Sequence, residues 1–146
     1  MSCSPIVVWI RAFRLHFIIP AILPVLLGSV IAWSQRYPFH VLNCLLVMLG
    51  VTLNSMGLNM LDDVIDFRNA ADRRKDKEKN PYSGGSGVLT ENLLTPNSLL
   101  KASVLCFTGT SLTGIYLFWV CGWPVLFLSL FGLLSSIFYT VPPIKF

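Results

Sequence analysis

The chain has 146 residues, of which 54% are hydrophobic and only 12% charged, with a net charge of +4 and a mean hydropathy of +0.68. Soluble domains carry roughly 25% charged residues, so this composition excludes a disordered tail, a collagen, a disulfide-stapled secreted module and an ordinary soluble enzyme. Twelve of the 18 Asp, Glu, Lys and Arg residues fall between Asp62 and Lys79, where cations and carboxylates are mixed without interleaved aromatics. That pattern argues against a nucleic-acid surface and for a membrane-flanking loop.

A membrane helix needs roughly 20 apolar residues. In chain order, four stretches reach that length: about Phe17–Trp33, Val41–Leu61, Leu99–Val120 and Trp123–Val141. Gln35-Arg36-Tyr37-Pro38 separates the first two, and Cys121-Gly122-Trp123-Pro124 predicts a tight turn and an antiparallel hairpin between the last two. Trp33, Tyr37, Trp119, Trp123 and Tyr139 lie near the predicted ends, as an aromatic belt would. The expected fold is all-α, an integral membrane helical bundle of about four transmembrane helices. It forms a single domain over residues 1–146, with a loop over 62–98.

Orientation follows from the basic residues. With the N-terminus inside, ten Lys and Arg residues fall on the inner segments and only Arg36 on an outer loop. This places both termini and the 62–98 loop in the cytoplasm of a multi-pass inner-membrane protein. No small-residue cleavage site follows the first apolar stretch, so no cleavable signal is expected. Cys3, Cys44, Cys106 and Cys121 form no C-x-x-C pair and read as small apolar side chains. His16 and His40 flank helix ends singly and receive no role.

The chemistry concentrates where the second stretch ends. At about 100° per residue, Asn59, Asp63 and Asp66 share one helix face, with Asp62 beside them. Carboxylates this close repel one another, and hard divalent cations prefer such oxygen ligands. Arg73, Arg74, Lys75, Lys77 and Lys79 follow, suited to phosphate oxygens. Next comes Asn80-Pro-Tyr-Ser-Gly-Gly-Ser-Gly-Val, whose glycines let backbone N–H groups approach an anion or simply form a linker. On spacing alone, a lipid-diphosphate pocket and a solvated charged loop remain two readings of these residues.

The run Asn59-x-x-Asp62-Asp63-x-x-Asp66 followed by Asp72 resembles the first aspartate-rich motif of the UbiA superfamily of membrane prenyltransferases. Arg11-Ala-Phe-Arg14-Leu, leading to Pro20, Pro24 and Gly28, is similar to the start of that family's first helix. Tyr139-Thr-Val-Pro142-Pro143-Ile-Lys145 resembles the end of its fourth. The resemblance implies Mg²⁺-dependent transfer of a prenyl group from an isoprenyl diphosphate to an aromatic acceptor, within the lipid bilayer.

By position it implies Asn59, Asp63 and Asp66 as metal ligands. Asp62, Asp72, Arg73, Arg74, Lys77, Tyr139 and Lys145 are implied on the diphosphate. The spacing from Asp66 to Asp72, with basic residues beyond, looks most like the 1,4-dihydroxy-2-naphthoate (menaquinone) branch.

Two substitutions depart from the family pattern: Asp62 stands where Asn is common, and Ala70 replaces a frequent Gly. The family also has about nine helices and a second aspartate-rich motif, whereas the acidic residues here after Asp72 are Asp76, Glu78 and Glu91. The chain is therefore expected to be an N-terminal half supplying the first motif, inactive unless a C-terminal half or a second copy completes it. The CDP-alcohol phosphatidyltransferase pattern fits worse, because Phe67 stands where it requires glycine. A four-helix membrane protein without enzymatic activity is the other reading.

Overall fold

The computed structural model describes residues 4–68 and 85–140. Among them it is all-helical: α1 (Pro5–Phe13), a single 3₁₀ turn (Leu15–Phe17), α2 (Ile18–Ser34), α3 (Val41–Arg68), α4 (Pro96–Cys121) and α5 (Trp123–Thr140). Local chemistry sets the boundaries. Pro5 and Pro96 sit in the first turns of α1 and α4, where a missing N–H removes no helical bond. The Thr95 hydroxyl caps α4 by accepting from the Ser98 N–H at 3.2 Å. Gly122, at φ 87, makes the reversal between α4 and α5 that the sequence predicts as a hairpin.

Among the described residues, four helices are long and apolar enough to span a bilayer, the first being Pro5–Ser34 taken as one. The bundle is inside-out relative to a soluble protein: Leu105, Trp119 and Phe131 are 72%, 80% and 73% exposed, facing where lipid would be. The predicted stretches coincide with α2 to α5 to within a few residues, except that α3 runs on through Arg68. Asp62–Arg68 therefore extends a helix rather than opening the expected loop, and α4 begins at Pro96, before that loop was expected to end.

Helix α3 is the central element and packs on α1, α2, α4 and α5, most extensively on α4. Its seam with α4 is built from small residues. Ser103 donates to the Gly57 carbonyl at 2.7 Å, and Thr110 to the Gly50 carbonyl at 3.2 Å. Donors and acceptors each lie seven residues apart, the repeat of shallow-angle helix packing. The approach is close: a Cβ on Gly57 would lie 3.2 Å from the Phe107 ring and 3.3 Å from the Cys106 Cβ. Asn54 ties α3 to α5 by donating to the Ser136 hydroxyl at 2.7 Å.

The tightest core lies at the end of the bundle that carries the aspartates. Val8 and Ala12 of α1, Met60 and Val64 of α3, Leu99 of α4, and Val88 and Leu89 of the connecting segment form one buried cluster. Residues 87–94 fold into a compact turn: the Glu91 N–H donates to the Gly87 carbonyl at 2.9 Å, and the Leu93 N–H to the Val88 carbonyl at 2.9 Å. Burial of Val88 and Leu89 docks this turn against α1 and α3.

Candidate functional site

The helical path of α3 places Asn59, Asp62, Asp63 and Asp66 on its last two and a half turns. Asp63 is buried, with 4% of its surface exposed, while Asn59, Asp62 and Asp66 are half-buried. A buried carboxylate requires compensation, and two segments supply it. The Arg14 guanidinium forms an ion pair with Asp63 Oδ1. From the other side, the Ser86 N–H lies 3.2 Å from both Asp63 oxygens, and the Ser86 hydroxyl donates to Oδ2. The glycine-rich segment thus does bring a backbone N–H to an anion, and that anion is the protein's own Asp63.

Arg14 reaches Asp63 because α1 ends on it. Arg14 is left-handed, at φ 49 and ψ 56, and its N–H closes the turn on the Arg11 carbonyl at 3.1 Å. Glycine usually fills this position. An arginine there accepts backbone strain on the order of 1–2 kcal/mol, which its ion pair offsets.

One turn earlier, Arg11 grips Glu91 with bonds of 3.0 and 3.1 Å and lies 3.4 Å from the Ser86 carbonyl. Arg11 thereby fastens the 85–91 segment to α1, while Arg14, just past the end of α1, ties that end to α3 through Asp63. Asn59 faces the same junction: its amide nitrogen donates to the Phe13 carbonyl at 3.3 Å, satisfying an open carbonyl at the end of α1. Its side-chain oxygen is the atom suited to a hard cation.

The arrangement brings together only part of the expected site. Asn59, Asp62, Asp63 and Asp66 share one helix end, offering oxygen donors of the kind Mg²⁺ takes. Among the described residues, no three His, Cys, Asp or Glu side chains converge into a metal cage. Tyr139, near the end of α5, is 53% exposed and takes no part in the bonds described for Asp63. Asp72, Arg73, Arg74, Lys77 and Lys145 lie outside the described residues.

Sequence reasoning did not find the roles of Arg11, Arg14, Ser86 and Glu91. One signal was available. Glu91 is the one acidic residue outside the 62–79 charge run and Arg11 one of the few basic ones, and opposite charges at the edge of an apolar bundle tend to meet.

Three comparisons bear on identity. No significant match is found among curated proteins or among solved structures. The model of the UbiA prenyltransferase family matches residues 21–145, which take in α3 to α5, all of α2 but its first three residues, and the whole aspartate-bearing end of α3. With most of its length matched and four helices among the described residues long and apolar enough to cross a membrane, the chain belongs to the UbiA prenyltransferase family.

Proposed function

We propose that the protein takes part in Mg²⁺-dependent transfer of a prenyl group from an isoprenyl diphosphate to an aromatic acceptor. The reaction would belong to quinone biosynthesis of the menaquinone type. The observation that carries this reading is Asp63, a carboxylate buried at the end of an apolar bundle with further oxygen donors on the same helix.

In the proposed reaction the C1–O bond of the prenyl group breaks and its electron pair leaves with the diphosphate. A ring carbon of the acceptor bonds to C1 and then releases its proton to the departing diphosphate or to water. Mg²⁺, when bound, would supply charge neutralisation on the leaving diphosphate. Asn59, Asp63 and Asp66 would hold the ion, with Asp62 flanking them. Asp72, Arg73, Arg74, Lys77, Tyr139 and Lys145 are assigned to the diphosphate side. The prenyl tail lies along the apolar helices, and the excess of Lys and Arg sets the site at the cytoplasmic face. A C-terminal half, or a second copy, supplies the remaining wall.

The test is binding of a non-hydrolysable isoprenyl diphosphate analogue to the detergent-purified protein, with and without Mg²⁺. Asp66→Asn is the control, since Asp63 also holds Arg14. Binding that requires both Mg²⁺ and Asp66 is the expected result. Binding that survives chelation, or no binding in a folded helical sample, overturns the reading.

A further inference from the structure

Asp63 already has a cation. The Arg14 guanidinium occupies Oδ1, and the Ser86 hydroxyl and N–H cover Oδ2. Both partners come from segments other than α3, and both are held by further bonds. The Arg14 backbone is fixed in a left-handed turn closed on Arg11 and Phe17. The Ser86 carbonyl lies against Arg11, whose guanidinium is bound to Glu91.

We propose that Arg14 and Ser86 form a resting latch that competes with the divalent cation for Asp63, so that the cation binds Asp63 only when the latch is displaced. The inference rests on reading Asp63 as a cation ligand and adds how that ligand is kept. Arg14 lies outside the residues matched by the family model.

Three physical points support it. A guanidinium and a hydrogen-bond donor on the two oxygens of one buried carboxylate leave little room for a metal, and Mg²⁺ demands near-ideal geometry at about 2.1 Å. A latch tethered to the same fold acts at high effective concentration, so a weakly hydrated ion pair holds off a cation that dehydrates reluctantly. Non-glycine residues in the left-handed region also concentrate at switch segments, where the fold holds a conformation the residue disfavours. The latch gives a bare cation low apparent affinity, reduced by the fraction of molecules with Asp63 open. An anionic ligand raises that fraction by offering the guanidinium another acceptor.

The experiment measures Mn²⁺ binding by paramagnetic resonance on the detergent-purified protein with no diphosphate present. It compares the natural sequence with Arg14→Gln, Ser86→Ala and Arg14→Gln/Asp63→Asn. Removing the latch is expected to tighten Mn²⁺ on the order of tenfold in Arg14→Gln. Ser86→Ala, which changes no charge, should tighten it about threefold, and Asp63→Asn should erase the gain. Because the tightening in Ser86→Ala cannot come from deleting a positive charge, it separates displacement from bulk electrostatics. It also stands in for Arg14→Gln should that variant fail to fold.

Affinities for Arg14→Gln and Ser86→Ala within twofold of the natural protein overturn the latch, as does no detectable Mn²⁺ in any variant. The readout uses no diphosphate. A protein that binds the diphosphate analogue but shows no latch effect therefore overturns this inference alone. A latch effect without analogue binding overturns the prenyl-transfer reading instead.

Discussion

Arg11 holds both carboxylate oxygens of Glu91 across 80 residues of sequence, at 3.0 and 3.1 Å. The pair fastens the N-terminal helix to the segment that precedes α4. Its side chains are 36% and 28% exposed, so water and salt screen it, and its worth falls in the range of surface pairs, about 0–1 kcal/mol. Glu91→Gln should lower the unfolding temperature in detergent by only a few degrees, and the difference should shrink as NaCl rises from 0.05 to about 0.5 M. A penalty that did not respond to salt would show that the pair is sheltered from solvent.

The pair between Arg14 and Asp63 belongs to another regime, because its side chains are only 11% and 4% exposed. Removing one member leaves a buried charge without its principal partner, a loss of about 3 kcal/mol or more. Asp63→Asn and Arg14→Gln should each destabilise by that order, measured by denaturant unfolding in mixed micelles. The double variant should recover more than half of the summed loss, since two neutral amides need no counter-charge. Strict additivity would mean that the two residues do not compensate each other.

The helix glycines differ in what surrounds them, and so should their alanine variants. Gly57→Ala would push a methyl to 3.2 Å from the Phe107 ring and 3.3 Å from the Cys106 Cβ, which sits next to backbone and yields little. It should cost about 1–2 kcal/mol. Gly109→Ala meets only the far end of Leu53, and Gly28→Ala meets nothing within 4 Å. These should be near neutral, with Gly28→Ala stabilising by up to about 0.5 kcal/mol through helix propensity. Ser103→Ala, which deletes the bond to the Gly57 carbonyl, should cost about 0.6–1.7 kcal/mol, the range for interhelical bonds in membranes. Thermal unfolding of the four variants in one detergent provides the comparison.

Much of the bundle was legible in the sequence because membrane spans obey a length and hydropathy rule that needs no tertiary information. The breaks at Gln35–Pro38 and Gly122 were legible for the same reason: they are local turn chemistry. The continuation of α3 through Arg68 was obscured because charge reads as loop, while the backbone of Asp62–Arg68 follows the helix already begun. The alignment of Asn59, Asp63 and Asp66 on one face needed only helical periodicity. What closes over Asp63 was hidden for a different reason. Its partners lie 49 residues before it at Arg14 and 23 after it at Ser86, and no local pattern encodes contacts so distant. The glycine-rich segment looked open to an anion without indicating that the anion would be internal.

Gly87 shows how the closing segment depends on a single backbone position. Its φ of +80 lies where side chains are strained, and a Cβ would stand 3.2 Å from a Glu91 oxygen and 3.3 Å from an Arg11 nitrogen. Gly87→Ala therefore combines a backbone penalty of about 1 kcal/mol with pressure on the Arg11–Glu91 pair. The neighbouring bonds from Glu91 N–H to the Gly87 carbonyl and from Ser86 to Asp63 depend on the same turn. The variant should raise amide hydrogen exchange at Ser86, Val88 and Glu91 at least fivefold while leaving the α3–α4 seam unchanged. If the turn is the element that holds Ser86 against Asp63, exchange at Ser86 rises together with that at Glu91. A rise confined to Glu91 would show that Ser86 is held by Asp63 independently of the turn that follows it.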